Sequence, residues 1–85
     1  MNYYVYVIIS LKTAHWYIGS TNNLPRRVEE HNSGNTKSTR GRGPWELKYS
    51  KGYETKEEAQ RMERKIKSWK NKTRIATWFE REKEV

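Results

Sequence analysis

Three observations predict an α+β domain: a small three-stranded, mainly antiparallel sheet flanked by helices, in the order β-β-α-β-α-α. Two runs of β-branched and aromatic residues open the chain, separated by a short polar gap, so a hairpin comes first. No long crossover separates those runs, and parallel pairing needs one. Further on, apolar residues recur at spacings of three and four, the period of a helix face.

Tyr3 to Ile9 is wholly β-branched or aromatic and reads as a strand apolar on both sides, and Trp16 to Ser20 repeats the pattern. Pairing residues whose numbers sum to 23 leaves Ser10 to Thr13 as the loop and sets Tyr6 opposite Tyr17. The first helix runs from Leu24 to Asn32, with Asn23 as N-cap, Pro25 in the first turn and Gly34 as the stop. A third strand, Trp45 to Ser50, follows Gly43-Pro44. Thr55-Lys56-Glu57-Glu58 is a capping box, after which Ala59, Met62, Ile66 and Trp69 form one stripe. A third, short helix after Asn71 carries Ile75, Trp78 and Phe79. One domain is expected over residues 1–80, with a charged tail that frays over 81–85.

The composition narrows the chemistry. The 85 residues include no Cys and no Asp, so disulfides, zinc fingers, thiol nucleophiles, Ser-His-Asp triads and aspartate-clamped metal pairs are all excluded. All 10 acids are glutamates, against 18 Lys and Arg, for a net charge of +8. So basic a small domain points to a polyanion partner. A mean hydropathy of −1.23 lies near the border of disorder, but 13% aromatic residues supply core area in few positions. The opening residues lack a signal-peptide pattern and no long apolar run occurs, which points to a cytoplasmic, non-membrane protein.

Several side chains do not fit a plain core. Leu24, Arg27, Val28 and His31 share one face of the first helix, so an Arg and a His one turn apart lie against or beside the sheet. The plainer alternative pairs Arg27 with Glu30 and leaves His31 as a helix-end residue favoured by the dipole. Tyr6, Tyr17 and Gly19 share a sheet face, where the glycine leaves room for close approach to the backbone; cross-strand tyrosines also simply stabilise sheets. Glu63 lies about 80° from the centre of its helix's apolar stripe, bordering the buried face, with Lys67 as its alternative i+4 partner.

Taken in order, Tyr4-Val5-Tyr6, Tyr17-Ile18-Gly19-Ser20-Thr21, then Arg27 and His31, then Glu63 in a basic helix, the chain resembles the GIY-YIG nuclease family. The resemblance spans nearly the whole sequence and is closest to the small single-domain bacterial members; it extends to the incision domain of the bacterial excinuclease. It is carried also by Thr39-Arg-Gly-Arg-Gly-Pro-Trp-Glu-Leu47 and by the segment from Glu58 to Trp69. Tyr4 stands where the family name has Gly. The resemblance implies a metal-dependent endonuclease hydrolysing DNA phosphodiester bonds, on branched or damaged DNA in repair or recombination. Its catalytic residues would be Tyr6, Tyr17, Arg27, His31 and Glu63, with Gly19 as the motif glycine and Glu63 as ligand to a single Mg²⁺ or Mn²⁺.

These residue types suit that chemistry. Arg27 is permanently charged and can bond phosphate bidentately. Mg²⁺ commonly takes only one or two protein carboxylates and completes its shell with water and phosphate oxygens. A tyrosine is a poor base at its usual pKa of about 10, where it stays protonated near neutral pH, so activation of water by either Tyr6 or Tyr17 would require a lowered pKa or concerted proton transfer. Residues 36–52 hold five basic side chains and one acid, half the net charge in one segment. Lys37, Arg40 and Arg42 there, with Lys67 and Lys70 on the glutamate helix, are candidates to hold DNA phosphates. The alternative is a non-catalytic nucleic-acid-binding module of the same fold, and 85 residues leave target choice to DNA shape or to a protein partner.

Overall fold

The computed structural model describes residues 3–83, and its three strands lie in the order β2-β1-β3, all antiparallel. The elements are β1 (Tyr3–Ser10), β2 (Trp16–Thr21), α1 (Leu24–Asn32), β3 (Trp45–Tyr53), α2 (Lys56–Trp69) and α3 (Lys72–Lys83). The α+β class and the order β-β-α-β-α-α are as the sequence predicts. β1 is apolar on both sides because it is the central strand, with helices covering both its faces. Val5 and Val7 pack with Ala59 and Ile66 of α2 and Ile75 and Phe79 of α3. Tyr6 and Ile8, on the opposite face, pack with Trp45 and with Leu24 and Val28 of α1.

Local chemistry sets the helix ends. The Asn23 side chain accepts from the Arg26 amide, and Gly34, at φ 81°, turns the chain out of α1. Thr55 accepts from the Glu58 amide and bonds its carboxylate at 3.1 Å, closing the cap of α2.

Three expectations are corrected. The hairpin register pairs residues whose numbers sum to 25, not 23: Tyr6 lies opposite Gly19, and Tyr17 opposite Ile8. The loop fixes this shift. Ser10 Oγ accepts from the Lys12 and Thr13 amides, and Ala14 takes φ 64°, so the chain turns back later than a Ser10–Thr13 loop allows. β3 runs past Ser50 to Tyr53, with a bulge that leaves Lys48 unpaired between Leu47 and Tyr49. Finally, α3 continues through Lys83, into the stretch from residue 81 where fraying is expected; Glu82 is held by Lys51 of β3 at 3.1 Å, and Phe79 stacks on Tyr49 with centroids 5.1 Å apart. Residues 84 and 85 of the expected tail lie outside the described residues. No helix among the described residues is long and apolar enough to cross a membrane.

Candidate active site

β1 and α1 face each other across a small aromatic and polar cluster. Tyr6 points from the sheet toward α1, and its hydroxyl is 2.9 Å from His31 Nε2. The other ring nitrogen, Nδ1, is 2.8 Å from Thr39 Oγ1, and the Thr39 hydroxyl in turn reaches the Thr36 carbonyl at 3.4 Å. Tyr6, His31 and Thr39 are each 1% exposed. A donor sequence satisfies all of them: Thr39 donates to Thr36, His31 Nδ1–H donates to Thr39, and the Tyr6 hydroxyl donates to Nε2. Burial, joined by the Arg27 charge, lowers the His31 pKa below 6.5, which keeps the ring neutral as this sequence requires. Tyr17 completes the cluster, its ring centroid 4.9 Å from His31 and 6.4 Å from Tyr6.

Arg27 lies one turn before His31. Its guanidinium bonds Glu30 at 3.0 Å and is also beside the Tyr6 hydroxyl. Burial alone would lower the Arg27 pKa; Glu30 and the two phenols outweigh burial, the pKa is raised, and the charge is permanent. Burial pushes the Tyr6 phenol up to about 12 despite the neighbouring Arg27. Both sequence readings of Arg27 thus hold together: it pairs with Glu30 and still faces the tyrosines.

Gly19 is where the sequence places it but works differently. Directly opposite Tyr6, a Cβ on Gly19 would lie 2.6 Å from the Tyr6 hydroxyl oxygen and 2.8 Å from the ring carbon that bears it. The space left by the missing side chain is filled by Tyr6 itself rather than kept open for a ligand.

Glu63 stands apart from this cluster. α2 covers the sheet face opposite to Tyr6, and the Glu63 carboxylate reaches the β2 edge, where Ser20 Oγ donates to it at 2.7 Å. Lys67 Nζ bonds its other oxygen at 2.7 Å, so the alternative i+4 partner is realised. Its charge is still near enough to raise the Tyr6 pKa. Two depressions flank this pair. One, about 350 Å³, is lined by Ser20, Arg27, Glu30 and Gln60; the other, about 390 Å³, by Tyr17 and Lys67 among others.

The structure therefore brings Tyr6, Tyr17, Arg27 and His31 into one cluster and sets Glu63 behind Ser20 on the neighbouring edge. Of the basic candidates, Lys37, Arg40 and Arg42 are exposed on the loop that Thr39 ties to His31, with Arg40 bonded to the Gly34 carbonyl at 2.9 Å. Lys67 and Lys70 are exposed at the C-terminal end of α2.

The sequence matches the GIY-YIG catalytic domain over residues 2–76. The chain belongs to the GIY-YIG family. It is 46% identical over 68 residues to the UPF0213 protein BH0048 of Halalkalibacterium halodurans, covering 79% of this chain and 71% of that one. To the UPF0213 protein CPE1444 of Clostridium perfringens it is 49% identical over 65 residues, covering 75% and 69%. The solution NMR structure of BH0048 superposes with a TM-score of 0.55 at 38% identity, over 91% of this chain and 82% of that one.

Two residues of this GIY-YIG domain escape a reading by sequence pattern. Thr39 lies in an irregular loop with no periodicity to mark it as buried, and its only signal is its place in the Thr-Arg-Gly-Arg-Gly run. Ser20 directly follows the YIG triplet, and its role depends on where α2 lands against β2.

Among the described residues no group of three or more His, Cys, Asp or Glu could hold a metal ion. At Glu63 the protein ligand on offer is a single carboxylate. That fits a hard divalent cation bound through one protein oxygen and otherwise by water and phosphate, provided the half-exposed Lys67 swings away.

Proposed function

We propose that the domain is a metal-dependent endonuclease hydrolysing phosphodiester bonds in DNA, with branched or damaged DNA as its substrate class. The observation that carries this reading is the convergence of a permanent cation, two phenols and a buried neutral imidazole on one cluster. Arg27 neutralises the charge that builds on the phosphoryl oxygens. Tyr17 is the half-buried phenol of the pair and faces the attacking water, whereas Tyr6 is 1% exposed and committed to His31. Tyr6 and His31 act as positioning residues: the hydrogen-bonded Tyr6–His31–Thr39 chain fixes the floor against which Tyr17 packs. Glu63, oriented by Ser20, would hold Mg²⁺ or Mn²⁺, which when bound supplies charge stabilisation at the phosphate. The exposed Lys37, Arg40 and Arg42 hold flanking phosphates without reading sequence.

The Lys67–Glu63 bond, and the position of Glu63 at the β2 edge apart from the tyrosine cluster, favour a second reading, a non-catalytic module binding nucleic acid. Cleavage of duplex, flap and branched DNA with and without Mg²⁺ or Mn²⁺ separates the two. The nuclease reading expects metal-dependent cutting that Glu63→Gln abolishes. No cutting of any substrate, or equal cutting by Glu63→Gln, contradicts it.

A further inference from the structure

Apart from Tyr17, the depression of about 390 Å³ along the β2 edge has a lining the phosphodiesterase chemistry does not use. Trp16, Tyr17 and Ile18 give it an apolar and aromatic floor, while Lys67, Lys70 and Lys72 stand around it. Lys72 Nζ is 5.6 Å from the centroid of the Trp16 ring and 3.3 Å from the Ala14 carbonyl, so its cation is held at the groove from both sides. Lys70 ends α2 at φ 51°, in the left-handed region where glycine or asparagine is usual. A lysine kept in that strained conformation at the mouth of a groove is a pointer to use.

A double helix presents phosphates but keeps its bases stacked inside, and an apolar floor beneath a ring of cations has nothing to take from it. A single strand offers both a planar apolar base and its flanking phosphates. We propose that this groove receives one unstacked base of a single-stranded DNA segment, its phosphates held by Lys67, Lys70 and Lys72. This rests on the nuclease reading only for its purpose: Tyr17 lines both the groove and the catalytic cluster, so a strand anchored here leads directly to the site. It gives the domain a preference for flaps, gaps and branch points over continuous duplex.

The test compares the full chain, in EDTA, for affinity toward a short oligothymidylate and an abasic sugar–phosphate strand of the same length, across a salt series. The two strands carry equal phosphate charge, so their salt slopes should agree. The expected result is about 5- to 150-fold tighter binding of the oligothymidylate, the worth of one stacked base. Trp16→Leu should abolish that difference while leaving the salt slope unchanged; if this variant does not fold, the wild-type comparison decides alone. Equal affinities in the wild type overturn the proposal, as does a folded Trp16→Leu protein that keeps the full difference. Sedimentation showing a dimer that oligothymidylate cannot disperse would assign the groove to a second copy of the chain and overturn it too. Equal affinities alongside metal-dependent cleavage refute the groove and spare the nuclease; base discrimination without cleavage of any DNA refutes the nuclease and spares the groove.

Discussion

His31 is 1% exposed, and both of its ring nitrogens are within 3 Å of a hydroxyl, Tyr6 at 2.9 Å and Thr39 at 2.8 Å. Thr39→Val keeps the shape and leaves Nδ1 buried without a partner, which should destabilise the fold by roughly 1–3 kcal/mol in urea denaturation. The same histidine sets an acid limb. Its folded pKa lies below 6.5, so as the pH drops below 6.5 the unfolded chain takes up a proton that the folded chain resists. The stability it contributes is complete above that value and is lost as pH falls through the lowered one; the urea midpoint should follow, and His31→Gln should flatten the dependence. Tyr6 acts in the opposite direction. Its pKa rises from 10.0 to about 12, so its contribution is present below pH 10 and lost as pH climbs through 12. Gly19→Ala should cost about 1–3 kcal/mol by forcing the locked Tyr6 ring aside. In a Tyr6→Phe background the cost should shrink by at least about 0.5 kcal/mol, a coupling that a double-mutant cycle reads directly. Helix and strand periods put Arg27 with His31 on one helix face and Tyr6 with Tyr17 on one sheet face; that the two faces form one site is legible only through the family resemblance. Thr39 has no such period, since it lies in a loop.

At the scale of elements, capping and apolar spacing located α1 and α2, and an all-apolar run located the central strand. Register was harder, because it depended on where Ser10 and Ala14 turn the chain, a matter of a few hydrogen bonds and one left-handed residue. The length of α3 depended on a tertiary contact, Lys51 with Glu82, that no local pattern announces. Helix spacing puts Glu63 at the border of its helix's buried face; that it meets Ser20 on the β2 edge, apart from the tyrosine cluster, follows only from the packing of α2 on β2. Two predictions belong here. Lys70→Gly relieves the left-handed conformation at the end of α2 and should raise stability by about 0.5–1 kcal/mol in thermal or urea unfolding. Lys67→Ala removes the ammonium that competes for Glu63 and should tighten Mn²⁺ binding without DNA by roughly 2- to 5-fold by calorimetry, equivalent to an exposed ion pair. No change would mean that the cation binds elsewhere.

On the scale of the whole molecule, the net charge of +8 has a direction. The loop bearing Lys37, Arg40 and Arg42 is tied to His31 through Thr39, and the lysines at the end of α2 flank Tyr17 from the other side of the β2 edge. DNA affinity should therefore fall steeply with salt, with a log–log slope of about −0.9 for each phosphate neutralised. Removing Arg40 or Arg42 should reduce that slope by about one unit without changing the base preference. Without Cys or Asp, the cluster is built from one arginine, two tyrosines and one histidine, with one glutamate on the neighbouring β2 edge. The most direct test of that description is the single-turnover rate of DNA cleavage in Mg²⁺ by the wild type, by Arg27→Ala and by Arg61→Ala, an equal loss of charge at an exposed position of α2. The tyrosine–arginine cluster predicts a loss of about 100-fold or more for Arg27→Ala with the wild-type rate kept by Arg61→Ala; equal rates for the folded Arg27→Ala protein and the wild type would contradict it.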